Sequence, residues 1–142
     1  MLPEETIDYN IKKTWYNITK MYNRTASEYK ASMSLGMILL NINITKGIES
    51  TKLGPNMGMK ATSLSRSLNK LEEIKLITRN TDSNDKRKSI ILLTQEGKEW
   101  RELAKKIVLK FNKTVYANFK KEEIEIFFSM LDKINEIINE YE

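Results

Sequence analysis

Three features of this 142-residue chain predict a mostly α-helical fold that carries one small β-wing and is closed by long helices at both ends. From Lys60 to Ile74 the residues Ala61, Leu64, Leu68 and Leu71 recur at helical spacing, while Thr62, Ser63, Ser65, Arg66, Asn69 and Lys70 fall on the other side, so one face packs and the other is free to touch something. Directly after this helix, Leu76, Ile77 and Thr78 open a β-prone run, the polar segment 80–88 turns it, and Ser89, Ile90, Ile91, Leu92 and Leu93 return as a second strand. Amphipathic stripes occupy both ends of the chain. A polar-faced helix followed at once by a hairpin whose turn ends in Lys86, Arg87 and Lys88 has the order of a recognition helix and a wing. The predicted class is therefore a winged helix-turn-helix with N- and C-terminal dimerisation helices.

Taken in order, Pro3, Glu4 and Glu5 suit a first helical turn, where the positive end of the helix dipole favours acids. Ile7, Ile11, Trp15, Ile18, Tyr22, Ala26 and Tyr29 then keep one helical stripe over more turns than a domain this small needs for its own core, and the surplus is expected to pack on a partner chain. The segment 34–44, dense in Leu35, Met37, Ile38, Leu39, Leu40 and Ile42, reads as a second helix broken by Gly47. A short third helix is expected from Glu49 to Gly54, with Ser50 and Thr51 as caps and with Pro55 and Gly58 punctuating its exit. Joined through Asn56, Met57 and Gly58 to the Lys60 helix, it completes a helix-turn-helix. After the wing, Thr94 is placed to cap a long fifth helix through Trp100, Leu103, Ile107, Phe111 and Val115 to about Asn118. Ile124, Phe127, Phe128, Leu131, Ile134, Ile138 and Tyr141 stripe a last helix. With the two terminal stripes separated by the reader, Ile7, Ile11, Ile124, Phe127, Phe128, Leu131, Ile134 and Ile138 are the candidate dimer interface.

Composition narrows the functions open to such a chain. With 40% hydrophobic and 30% charged residues it has the make-up of an ordinary soluble domain. No apolar run approaches the roughly 20 residues of a membrane-spanning helix, and the acidic start does not resemble a signal peptide, so a cytoplasmic location is expected. Zero cysteines and zero histidines remove thiolate chemistry, disulfides, the commonest general base and the commonest metal ligand. With no Gly-rich phosphate loop and no metal-spaced ligand cluster, neither cofactor nor metal is expected. Glu122, Glu123 and Glu125 are the densest carboxylates, but they open an amphipathic helix beside lysines, where acids match the dipole, so an enzyme is not expected.

Charge placement points the same way. Between Lys60 and Lys88 eight cations face four anions, a local charge of +4, whereas residues 121–142 carry two cations and seven anions, a local charge of −5. A basic run is often only a solvated face. Here it coincides with a hydroxyl-rich helix and a hairpin, a combination suited to hydrogen bonds with base edges and phosphates. The candidate DNA-contacting residues are Lys60, Thr62, Ser63, Ser65, Arg66, Asn69, Lys70, Lys86, Arg87 and Lys88.

The run Asp85, Lys86, Arg87, followed by Leu92, Leu93, Thr94, Gln95, Glu96 and Gly97, resembles the wing signature (Asp-x-Arg, then Leu-Thr-x-x-Gly) of the multiple antibiotic resistance regulator (MarR) family, and 63–77 resembles that family's recognition helix and its exit. The resemblance implies a dimeric winged-helix repressor or activator of transcription that binds double-stranded DNA and is released by a small-molecule effector. It further implies residues 33–94 as the DNA-binding domain and residues 1–32 with 95–142 as the dimerisation region. The chain departs from the pattern at Lys75, where the family usually has glycine before the strand, and at Leu53–Gly54, where Leu-Ala is more usual. Trp15, Met33, Met37 and Trp100 are candidates for lining an effector pocket, against the plainer reading that methionine fills irregular cores. The competing function is a winged-helix module that binds protein only. Such a module should present apolar residues on the exposed side of the Lys60 helix, where this chain has Ser, Thr, Arg, Asn and Lys.

Overall fold

The computed structural model describes residues 1–81, 84 and 88–141. The chain divides into two compact units, Met1–Ile107 and Val108–Glu142.

In the first unit a 3-10 turn, Pro3–Glu5, leads into helix α1, Ile7–Ser27. Thr6 caps α1 by accepting from the Tyr9 amide at 3.4 Å, one of the orphan donors at a helix start. Burial of Tyr22 on this helix raises its phenol above the ordinary value of 10.0. The stripe expected to run through Tyr29 stops short, because Lys30 turns left-handed at φ 55° and ends the helix. Helix α2, Met33–Asn41, is capped by Ser32 and tied to α1 by the Met33 amide, which donates to Asn23 Oδ1 at 2.9 Å. It ends three residues earlier than its composition suggests. Ile42 is extended and fully buried, and the Asn43 side chain accepts from the amides of Thr45 and Lys46, an Asx turn that competes with helix. Arg101 donates to the carbonyls of Ile42 and Leu40 at 3.2 and 3.5 Å, placing a cation at the negative end of α2.

Gly47 closes this turn at φ 70°, and a Cβ there would lie 2.3 Å from the Ile91 carbonyl oxygen, so the position tolerates only glycine. The close approach lets Ile48–Glu49 form strand β1, which the sequence did not disclose. It pairs antiparallel with the second wing strand, Ile48 opposite Ile91. Helix α3 spans Ser50–Met57, and two expectations are corrected here. Glu49 holds the N-cap position and Ser50 is the first helical residue. Pro55 lies inside the helix, not beyond it; Gly58, left-handed at φ 60°, ends it, because glycine takes that conformation without a Cβ clash. Asn56 and Met57 are thus the last turn of α3, and the link to the next helix is only 58–60.

Helix α4, Ala61–Glu73, buries Leu64, Leu68 and Leu71. Its exit settles the geometry at Lys75. That residue adopts φ 61°, the Leu76 amide bonds the Leu71 carbonyl at 2.9 Å, and the Lys75 amide bonds Glu72 at 3.0 Å. These are the two bonds of a Schellman cap, formed without glycine. Strands β2, Ile77–Thr81, and β3, Ser89–Leu93, pair from Ile77–Leu93 to Thr81–Ser89, giving a sheet of order β1-β3-β2. One core joins Ile38, Leu39 and Ile42 of the α2 segment, Leu53, the α4 leucines, and Leu76, Ile77 and Ile91. Each fully buried side chain of this kind contributes about 1.5–3 kcal/mol. Thr94 accepts from the Gly97 amide at 3.0 Å and so caps helix α5, Gln95–Ala117. Ile7 and Ile11 of α1 remain exposed.

The second unit holds the end of α5 and helix α6, Lys121–Asn139. The Lys120 amide donates to Glu123 Oε2 at 2.7 Å, and Glu122 and Glu123 stand in the first turn, which the dipole favours. Phe127, Phe128 and Ile138 are exposed, with Ile126, Met130 and Ile137 beside them. Leu131 and Ile134 are half-buried, and Ile124, one of the candidate interface residues, is already buried within the chain itself. No helix among the described residues is long and apolar enough to cross a membrane.

Candidate nucleic-acid interface

With Leu64, Leu68 and Leu71 turned into the core, α4 presents Thr62, Ser63, Ser65, Arg66, Asn69 and Lys70 to solvent. Thr62, Ser65, Arg66 and Asn69 follow i, i+3, i+4, i+7 spacing and form one ridge. Together with Ala61 they line an open groove of about 460 Å³. Ala61, assigned by periodicity to the packed side, is exposed at the groove's edge. Among the described residues no carboxylate lines this groove; the acids of α4 lie at its C-terminal end. Lys60, at the N-cap, is exposed. Lys70 lies 3.9 Å from Glu73, an exposed contact of little energetic weight.

Asn69 is not simply a free contact residue. Its Oδ1 accepts from Arg79 Nη2, and Arg79 Nε lies 3.3 Å from Glu72 at an angle that is not that of a hydrogen bond. Arg79, on β2, therefore braces the wing strand against two residues of α4. Sequence reasoning overlooked it, although strand alternation contained the signal: Arg79 shares a strand face with Ile77, and Ile77 is buried. Arg79 accordingly points the same way as a core residue.

At the wing, Lys88 lines a separate depression of about 410 Å³ with Glu49, Asn80, Thr81 and Ile90. The structure thus brings Thr62, Ser65, Arg66 and Asn69 together and places Lys88 elsewhere. Lys86 and Arg87 lie outside the described residues.

A second cavity, about 250 Å³, is lined by Trp15, Met33, Ser34, Met37, Asn56, Met57 and Met59. Three of the four pocket candidates meet here. The fourth, Trp100, packs against the hydrophobic core instead and does not line the cavity. Met57 and Met59 were missed because nothing in their spacing links them to α1; they arrive through the α3–α4 turn.

The MarR family model matches residues 32–89, the segment from the α2 cap to the first residue of β3. Over nearly the whole chain the fold is that of known regulators. A MarR/EmrR family transcriptional regulator from Acinetobacter sp. ADP1 superposes with a TM-score of 0.85 at 22% identity, covering 99% of each chain. Staphylococcus aureus MepR, solved as a DNA complex, gives 0.83 at 21% identity, covering 92% of this chain and 97% of that one. The PcaV transcriptional regulator of Streptomyces coelicolor, solved with its natural ligand, gives 0.81 at 16% identity and 96% of each chain. These likenesses establish a shared winged-helix fold, and the sequence of residues 32–89 is similar to the MarR family.

Proposed function

We propose that the chain acts as a homodimeric, sequence-specific DNA-binding regulator of transcription on a near-palindromic operator. In this reading residues 33–94 are the reading domain, and residues 1–32 with 95–142 bring two copies together. The two α4 helices enter successive major grooves, with half-site centres roughly 34–36 Å apart. The observation that carries the reading is the α4 surface: a ridge of hydroxyl, amide and guanidinium groups, with no acid among the described residues that line it, backed by buried leucines. Arginine hydrogen-bonds guanine and the smaller polar side chains serve bases and phosphates, whereas a protein-docking face at this position would be apolar. MepR in its DNA complex has this fold, which supports the same use of α4 here. The exposed apolar side chains Ile7, Ile11, Phe127, Phe128 and Ile138 supply a surface for dimerisation. The cavity lined by Trp15, Met33 and Met37 is the site for a small-molecule effector that releases the DNA. A protein of this kind works where the chromosome is, in the cytoplasm.

The test is a gel shift with the full chain against the intergenic DNA upstream of its own coding region, alongside a scrambled duplex of equal length. Retardation of the upstream fragment at concentrations that leave the scrambled duplex free supports the reading. Equal affinity for both sinks the sequence-specific part, and no binding to either favours the protein-docking alternative.

A further inference from the structure

We propose that the cavity between α1, α2 and the α3–α4 turn selects its guest by charge, taking an uncharged, compact ring compound and rejecting a carboxylate of the same outline. The proposal rests on reading this cavity as the effector site and adds the chemical class of the effector. Its basis is the lining. Trp15, Met33, Ser34, Met37, Asn56, Met57 and Met59 include no ionisable side chain, in a protein of which 30% is charged. The cavity is half-open to solvent, so a carboxylate entering would give up part of its hydration and meet no cation among these lining residues in return, a cost that grows with how deeply it sits. An ammonium would likewise find no acid. The neutral polar groups present, the Ser34 hydroxyl and the Asn56 amide, can orient one hydroxyl or carbonyl of a guest.

Size and surface texture complete the class. A sealed cavity of about 150 Å³ accommodates benzene; this half-open one of about 250 Å³ has room for one ring with substituents or two fused rings, with one edge of the guest left in solvent. Four of the seven lining residues are methionines, whose unbranched, polarisable thioethers reshape around different outlines, and the Trp15 indole offers a flat apolar face. Discrimination should therefore be loose for shape and strict for charge. The site also has a route to the DNA-reading helix. Met57 and Met59 flank Gly58, which holds φ 60°, and both pack against the core that seats α4. The Met59 amide is tied to the Gly54 carbonyl at 3.1 Å. A guest that moves either thioether loads the turn that sets where α4 begins.

The experiment is calorimetric titration of the full-length protein at pH 7 with three matched probes: 2-naphthylmethanol, 2-naphthoate and 2-naphthylmethylammonium. The alcohol should bind once per chain, at least about tenfold more tightly than either ion. Ser34 is exposed in the first turn of α2, so Ser34→Lys puts a cation at the cavity rim without disturbing the core, and it should reverse the order of alcohol and naphthoate. Naphthoate binding as well as the alcohol to the parent, no heat from the alcohol up to its solubility limit, or an order unchanged in Ser34→Lys would each overturn the proposal. The same probes are then added to the protein–operator complex. If the alcohol binds with the predicted preference but leaves DNA affinity unchanged, the charge selectivity stands and the effector role falls.

Discussion

Alanine at Gly97 should destabilise the protein, although glycine-to-alanine in a helix ordinarily stabilises by up to about 1 kcal/mol. Gly97 stands in the first turn of α5, and a Cβ built there falls 1.9 Å from the Leu76 carbonyl oxygen and 2.9 Å from its carbonyl carbon. Both are backbone atoms, so no side chain can swing aside. The helix and the strand base must part by about 1.1 Å merely to reach 3.0 Å, a separation below which real Cβ contacts essentially never fall. That movement acts on the bonds holding the junction together, Thr94 amide to Leu76 carbonyl at 3.1 Å and Thr94 hydroxyl to Lys75 carbonyl at 2.7 Å. Overpacking costs about 1–3 kcal/mol and weakening two hydrogen bonds about 1–2 kcal/mol; less a helix-propensity gain of about 1 kcal/mol, the net loss is about 1–4 kcal/mol. For a chain of this length each kcal/mol moves Tm by about 3 °C, so thermal unfolding followed by circular dichroism should show a fall of about 3–12 °C. Gly36→Ala is the control. Its Cβ would meet Ala104 Cβ at 3.6 Å, an ordinary contact, and the propensity gain should appear as an unchanged or slightly higher Tm. A Gly97→Ala protein as stable as the parent would refute the close approach of α5 to the α4 exit.

Lys75→Gly should raise stability by about 1 kcal/mol, since a side chain pays about 1–2 kcal/mol for the left-handed conformation that Lys75 adopts; urea unfolding reads this directly, and a loss would mean that the lysine side chain contributes more than its strain costs. Replacing Phe127 and Phe128 with glutamate changes two exposed residues, so the fold should persist while the sedimenting species shifts to monomer and operator affinity falls with it; a dimer of unchanged affinity would exclude α6 from the interface. Arg87→Ala should weaken binding to all DNA sequences about equally and lower the slope of log affinity against log salt by about 1 for each phosphate that a subunit no longer neutralises, about 2 for a dimer; an unchanged slope with unchanged affinity would take the wing out of the interface.

What the sequence made legible follows from which interactions are local. The α4 stripe, the alternation of the wing strands and the Thr94 cap are encoded within a few residues of where they act, and Ala61–Glu73, Ile77–Thr81 and Ser89–Leu93 appear within a residue or two of the predicted limits. The features that stayed hidden depend on distant partners. Ile48–Glu49 is a strand only because Gly47 lets the chain meet Ile91. Arg101 caps α2 across some sixty positions of sequence, and Arg79 reaches Asn69 and Glu72 only once the sheet is docked. Pro55 misled for the opposite reason. It removes the amide that would bond the Thr51 carbonyl four residues back, yet the helix runs two residues beyond it to Met57 and is ended by the left-handed Gly58. Of the candidate site, the exposure of Thr62, Ser65, Arg66 and Asn69 follows from periodicity, whereas the exposure of Ala61, the Arg79 bond to Asn69 and the place of Met57 and Met59 required the folded chain.

The claim that α4 reads base sequence is tested most directly by fluorescence anisotropy of the parent and Arg66→Ala on the operator and on a scrambled duplex at one fixed salt concentration. An arginine contact to guanine is worth about 1–3 kcal/mol of discrimination, about 5- to 150-fold in affinity at each half-site. If α4 is the reader, Arg66→Ala loses at least about fivefold on the operator and much less on the scrambled duplex. Equal losses on the two duplexes, or no loss on either, would contradict it.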